Sequence, residues 1–264
     1  MAHVLLAGES WIQASSDYKG FDEFSHTQLN VGCTDFLKAL RSYGHTVDHI
    51  LAHDVATDFP ETQEKLSEYD VVIISDIGAN SFLLPPQVLD EGRTFPNRLK
   101  LLASWTEHGG GLMMAGGYMS FQGFQAKANY HGSPLESVLP VEILPTDDRV
   151  EAPEGVGGSL TRVDHPITNG LDNRWPTLLG YQKLKVKDSA QTLAEVGEDP
   201  LLVVSTVSRG RSLAFASDIS PHWAPREFMD WEGYEKLFGQ AIDWLAQKRP
   251  PNGISGIDTT KEAT

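Results

Sequence analysis

The side chains best suited to chemistry fall in four short stretches, each directly after an apolar run. "AGESW" presents Glu9, Ser10 and Trp11, and "SDIGAN" presents Asp76 and Asn80. "GGYMSFQ" presents Gly117, Tyr118, Ser120 and Gln122, while "SDISPHW" presents Asp218, Ser220, His222 and Trp223. Histidine is the side chain whose unperturbed pKa suits both proton uptake and release near neutrality. His222, held between Pro221 and Trp223, is therefore a candidate general base or acid, with metal ligation and loop packing as the other readings. Asp218 could orient it, bind a ligand hydroxyl or cap nearby N–H groups. Glu9 and Asp76 carry the same alternatives, and two carboxylates at adjacent strand ends can share a proton. Tyr118 could donate a proton or contact an oxyanion; with an ordinary phenol pKa of roughly 10 it is a poor nucleophile unless activated. Catalysis is assigned to His222, Tyr118 and Asp218. Substrate binding is assigned to Glu9, Ser10, Trp11, Asp76, Asn80, Gly117, Ser120, Gln122 and Trp223.

For these residues to meet, the runs before them must be neighbouring strands. His3–Ala7 reads as a short buried strand, followed by a polar loop through His26. Residues 30–43 have helical spacing, with Gly44 as a stop, and "HTVDHIL" gives the next strand. "YDVVIISDIG" is a continuous β-branched run, the pattern of a strand buried on both faces. Arg98–His108 reads as a helix and "GLMMAGG" as the strand after it. Residues 134–180 read as an irregular insertion of short strands and loops; hairpins follow, and Glu232–Ala246 is a closing helix. Strands alternating with helices predict an α/β domain over residues 1–247, with a mostly parallel sheet in three layers, flavodoxin-like, carrying inserted short strands. Residues 248–264, rich in Pro, Gly and Thr, read as a C-terminal arm or disordered tail. In such a sheet, ligands bind beyond the C-terminal strand ends, where all four stretches fall.

Composition narrows the partners. Of 264 residues, 40% are hydrophobic and the formal net charge is −15, a field that repels nucleic acid and anionic membrane surfaces. One cysteine, Cys33, excludes an intrachain disulfide and a cysteine-built cluster. The chain start lacks the pattern of a signal peptide, and a cytoplasmic location is expected. The carboxylates and His26, beside Asp22 and Glu23, match no strong metal motif, and neither "GGSLTR" nor the RGR at Arg209–Arg211 is a phosphate loop. No metal and no cofactor are expected. Trp11, Phe21, Phe24, Tyr118, Phe121, Phe124 and Trp223 could wall a pocket or pack the loops, and the aromatic loops favour self-association.

"GGYMSFQ" resembles the Gly-x-Cys-x-Gly-x-Gln elbow of the class I glutamine amidotransferases. Gly116 stands for the first glycine, Tyr118 for the cysteine, Ser120 for the second glycine and Gln122 for the glutamine. The order of the pieces and the closing "DISPHW" are similar to the amidotransferase-like branch that includes trehalose-utilisation-type relatives. The resemblance implies a class I glutamine amidotransferase-like fold and matches the family histidine to His222. The family glutamate falls on Ala224, with Glu227 or Asp230 as substitutes only if the local helix turns back. A thioester route needs the thiolate that Tyr118 replaces. The resemblance therefore implies the fold without glutaminase activity. The expected function is a small-molecule hydrolase or lyase acting on a polar metabolite. The alternative is a non-catalytic metabolite-binding or assembly protein. A helix starting near Met119 would aim backbone donors at the cleft.

Overall fold

The structure, a computed structural model, describes residues 1–247; the arm expected at 248–264 lies outside the described residues. β1 (His3–Gly8) leads into a ribbon of β2 (Ser10–Lys19) and β3 (Asp22–Val31), then α1 (Thr34–Tyr43) and β4 (Thr46–Ile50). Two one-turn helices, α2 (Val55–Asp58) and α3 (Gln63–Leu66), precede β5 (Val71–Ser75). Next come α4 (Asn80–Leu83), α5 (Pro86–Leu89), α6 (Arg98–Glu107) and β6 (Gly111–Ala115). The following strands are β7 (Val141–Glu142), β8 (Arg149–Leu160), β9 (Arg174–Gln182) and β10 (Lys185–Val186). They continue with β11 (Gln191–Val196), β12 (Asp199–Val207) and β13 (Gly210–Phe215). α7 (Arg226–Met229) and α8 (Glu232–Leu245) close the described chain.

Nine strands form one sheet in the order β4-β1-β5-β6-β13-β12-β11-β8-β9. The first five are mutually parallel and the rest extend the sheet antiparallel. β1, β5 and β6 are buried almost throughout, which a parallel sheet permits only when both faces are covered. The covering helices follow from chain direction. From β1 the chain moves outward through α1 to β4, then returns past β1 to β5 and β6, so right-handed crossovers place α1 and α6 on opposite faces. α1 buries Phe36, Leu37 and Leu40 and ends where Gly44 turns left-handed, as its stop signal predicts. It packs on α8, with Phe36 edge-on to Phe238, whose ring in turn meets Phe215 of β13. The result is the expected three-layer α/β domain with a flavodoxin-like parallel core.

Two elements differ from their sequence reading. The segment read as a polar loop is the β2–β3 ribbon, ten cross-strand pairs joined by Gly20–Phe21 and, among the described residues, paired with no other strand. Its side chains are exposed on both faces, so no buried alternation marks it as strand. Within residues 134–180, β8 and β9 are long rather than short, pairing in the main sheet with register shifts at Glu151/Val156 and Gly157/Ser159. Such irregularities, with six glycines or prolines in β8 and β9, hide the strands from a periodicity argument.

Candidate functional site

The reversal of chain direction lies between β1 and β5, and in open α/β sheets that is where the ligand crevice opens. Gly8 and Ser75 are the last register pair of these strands, so Glu9 and Asp76 emerge side by side. Both have left-handed backbones, with φ of 51° and 44°. Non-glycine residues rarely adopt that region, and its use at both strand ends marks a locally strained crevice floor. Gly8 makes the approach possible: its φ is 110°, and a Cβ there would lie 1.9 Å from the Ser75 carbonyl oxygen.

Glu9 is buried, with one carboxyl oxygen on the Ser75 hydroxyl and the other 2.6 Å from Ser220 Oγ. Burial, followed by the charges of Asp218 and Asp76, pushes its acid well above the usual carboxylate range. Both serine hydroxyls donate to this carboxyl. Ser220 Oγ also lies 3.2 Å from Asp218 Oδ1, and Asp218 Oδ2 lies 3.6 Å from Nδ1 of His222. A continuous polar path thus runs from the crevice floor to His222, whose side chain is 37% exposed. Asp218 also accepts the Ser220 N–H, which fixes its orientation. Asp76 is pushed up to about 6, first by burial and then by Asp218.

Tyr118 stands over this path. Its ring is 4.2 Å, centroid to centroid, from that of His222 and edge-on to it, while Trp223 stacks on the histidine at 5.2 Å and lies edge-on to Tyr118 at 5.9 Å. Burial and the neighbouring Glu151 push the Tyr118 phenol up, which opposes a phenolate nucleophile. The bend carrying Tyr118 is not followed by a helix at Met119: turns run to a single short 3-10 turn at Phe124–Ala126. Two of its backbone donors are already engaged. The Met119 N–H donates to Asp76 Oδ1 at 2.8 Å, and the Gly117 N–H points at Gln182 Oε1 at 3.4 Å while Gln182 Nε2 donates to the Gly117 carbonyl. Gly117 has φ of 133°, and a Cβ there would meet Asp76 Oδ1 at 3.0 Å. These two N–H groups are therefore not open to an oxyanion.

The remaining sequence candidates divide. Trp223 is buried, its Nε1 donating to Glu151 at 3.0 Å. Ser10 accepts the Ala52 N–H, Ser120 accepts the Asp76 N–H, and Gln122 accepts the His131 N–H. These three are buried and hold the loops around the crevice. Trp11 and Asn80 are exposed, Trp11 on the ribbon and Asn80 at the start of α4. Of the proposed aromatic wall, Tyr118, Phe124 and Trp223 gather near one another; Phe121 is core, and Phe21 and Phe24 lie on the ribbon. His26 also lies there, bonded to Ser15, away from Asp76's strand end. Among the described residues no group of three or more His, Cys, Asp or Glu side chains is arranged to hold a metal ion. Glu227 faces Thr177 and Asp230 pairs with Arg226, so the histidine's nearby acid is Asp218, on its N-terminal side.

Sequence reasoning missed the rim supplied by β8. The Arg149 guanidinium sits 4.7 Å from the Tyr118 ring centre and 4.3 Å from that of Phe124, held by Asp147 and Glu151. Asp148, buried and pushed up to about 6 by burial, accepts the Gln122 and Gly123 N–H groups and so clamps the bend. The "DDRVE" charges were the available signal, but only recognition of β8 as a long strand could have brought them to the crevice.

Comparison with known proteins adds a family. Two solved structures of cytoplasmic proteins from Salmonella typhimurium, the second from strain LT2, are 40% and 44% identical to the chain. Each covers 92% of it, over 98% and 99% of their own lengths, with TM-scores of 0.89 and 0.88. A "Putative thua-like protein" from Parabacteroides merdae shares the fold at 11% identity and a TM-score of 0.58, covering 96% of this chain and 92% of its own. A search of curated proteins finds no match. Among the described residues no helix is long and apolar enough to cross a membrane. The family model described as "Putative glutamine amidotransferase" matches residues 3–247, and with that match the chain belongs to the glutamine amidotransferase-like family.

Proposed function

We propose that this protein is a small-molecule enzyme, a hydrolase or lyase working on a polar metabolite by acid–base chemistry and without glutaminase activity. The observation that carries the reading is the placement of His222 between Asp218, at 3.6 Å, and the Tyr118 ring, at 4.2 Å, at the rim of the switch-point crevice. In this reading His222 takes up or delivers the substrate proton. Asp218 orients the imidazole, and the phenol of Tyr118 donates a hydrogen bond to the developing negative charge. Ser220 Oγ, which also bonds Glu9, hydrogen-bonds Asp218 from below. Arg149, at the rim, suits an anionic or carbonyl-bearing end of the substrate. Glutaminase chemistry is disfavoured because Tyr118 holds the elbow position, and Cys33 is buried under α1 with its thiol pushed up to about 12 by burial. A cytoplasmic location is proposed on the likeness to the two Salmonella proteins.

The engagement of the bend's donors favours a second reading, a metabolite-binding protein that kept the crevice without the catalysis. A thermal-shift screen of polar metabolites, followed by turnover assays of the hits, separates the two. The enzyme reading expects turnover that falls in His222→Ala and Tyr118→Phe. Equal turnover in both variants overturns the assignment, and a specific ligand that is never converted supports the binding reading.

A further inference from the structure

The β2–β3 ribbon takes no part in the crevice chemistry, and among the described residues no other strand pairs with it. Ten residues per strand at about 3.4 Å each carry it roughly 30 Å from its root at Glu9 and Gly32. A two-stranded ribbon alone in water is marginal at best, so one of this length needs a cover. Its register shows which side is covered. One face carries Ile12, Ala14 and Tyr18 opposite Leu29, Thr27 and Glu23, with Val31 at the root. Ser16 and Ser25, between them, bond to each other, which leaves Glu23 as the one charge on that face. The opposite face carries Trp11 and Phe24, but sets them among Gln13, Asp17, Lys19, Asp22, His26 and Gln28, four of which are charged or titratable, and it makes its own polar contacts, including Ser15 to His26. Alternation is therefore present, but in this chain both sides meet solvent: Ile12 is 58% exposed and Tyr18 72%.

We propose that the apolar face of the β2–β3 ribbon is a dimerisation surface that packs on the same face of a second copy of this chain about a twofold axis. A nearly uncharged face suits an identical face and suits a charged peptide poorly. With Phe21 at the turn, the exposed apolar side chains of this face offer on the order of 600 Å² per copy, so a pair buries about 1,200 Å², the lower end of stable interfaces. A lipid surface fits less well, because Asp17, Asp22 and Glu23 cluster at the tip of a chain whose net charge is −15. The ribbon's root also touches the crevice: a Cβ on Gly32 would lie 3.2 Å from Glu9 Oε2 and 3.0 Å from Ser220 Oγ. Pairing would thereby brace the carboxyl floor, although the surface stands independently of the enzyme reading.

Light scattering on the full chain at tens of micromolar, coupled to size exclusion, tests the surface. The wild type is expected at twice the mass of the 29.0 kDa chain. Ile12→Asp with Leu29→Glu is expected to halve that mass while leaving the far-ultraviolet spectrum of the main domain intact. Gln13→Glu with Gln28→Glu, on the polar face, is expected to leave the dimer unchanged. A monomeric wild type, or association that survives the apolar-face substitutions, overturns the proposal. So does equal dissociation by the polar-face pair.

Discussion

Asp76 Oδ1 accepts the Met119 N–H at 2.8 Å, so the acid that ends β5 holds the bend that follows β6. This bond joins two strand ends that are far apart in sequence, and the carboxyl making it is pushed up to about 6 from 3.8, chiefly by burial. The folded protein binds that proton more tightly than the unfolded chain does. The group therefore lowers stability progressively as pH rises from 3.8 to about 6, and the loss persists above that window. Asp76→Asn keeps an oxygen acceptor for Met119 and removes the titration. The variant should gain stability relative to wild type as pH rises through the window. Urea unfolding at several pH values measures this, and a pH-independent difference would contradict it.

Glu9 is predicted to carry its proton at neutral pH, because burial and the Asp218 and Asp76 charges oppose ionisation. Difference infrared spectra of wild type against Glu9→Gln should show a protonated carboxyl band that the variant lacks. Glu9→Ala is expected to be the harsher change. It strands the Ser75 hydroxyl, at about 1–3 kcal/mol for a buried group left unpaired, and leaves Ser220 with Asp218 alone. Equal unfolding midpoints for the Gln and Ala variants would show that these bonds contribute nothing.

Turnover of a substrate found by screening should fall roughly 10²–10⁴-fold in His222→Ala, the range for loss of a positioned acid or base. The melting temperature should hold, since the side chain is 37% exposed. Asp218→Asn should lower kcat less than His222→Ala does, because the amide keeps an acceptor for the Ser220 N–H but loses the charge facing the imidazole. A kcat unchanged in Asp218→Asn would remove Asp218 from the mechanism as a positioning residue.

Cys33 is fully buried and its thiol is pushed up to about 12 by burial, so little thiolate exists near neutrality. Iodoacetamide should leave the native protein unlabelled and label it on unfolding, with activity unaffected by the reagent. Rapid native labelling, read by mass spectrometry, would refute the inert assignment.

The parallel core was legible because its strands are continuous apolar runs: "VVIIS" and "GLMMA" have few alternatives once helical segments flank them. Glu9, Asp76, Tyr118 and His222 could be named as strand-end residues for the same reason. The ribbon was not legible, since Trp11–Lys19 alternates between two exposed faces and mixes polar with apolar on each. Nor was Arg149, whose place beside Tyr118 requires β8 to lie three antiparallel pairings from β13.

The sequence by itself determined the parallel strands, the residues at their ends and the loss of the elbow cysteine, because hydrophobic runs and residue identities are local properties. Only the tertiary structure decided that Asp218 faces His222, that Asp76 occupies the backbone donor of Met119, and that burial raises the Glu9 carboxyl well above its usual range. Those depend on desolvation and on distances between segments up to 211 residues apart, as between Glu9 and Ser220, which no local pattern encodes.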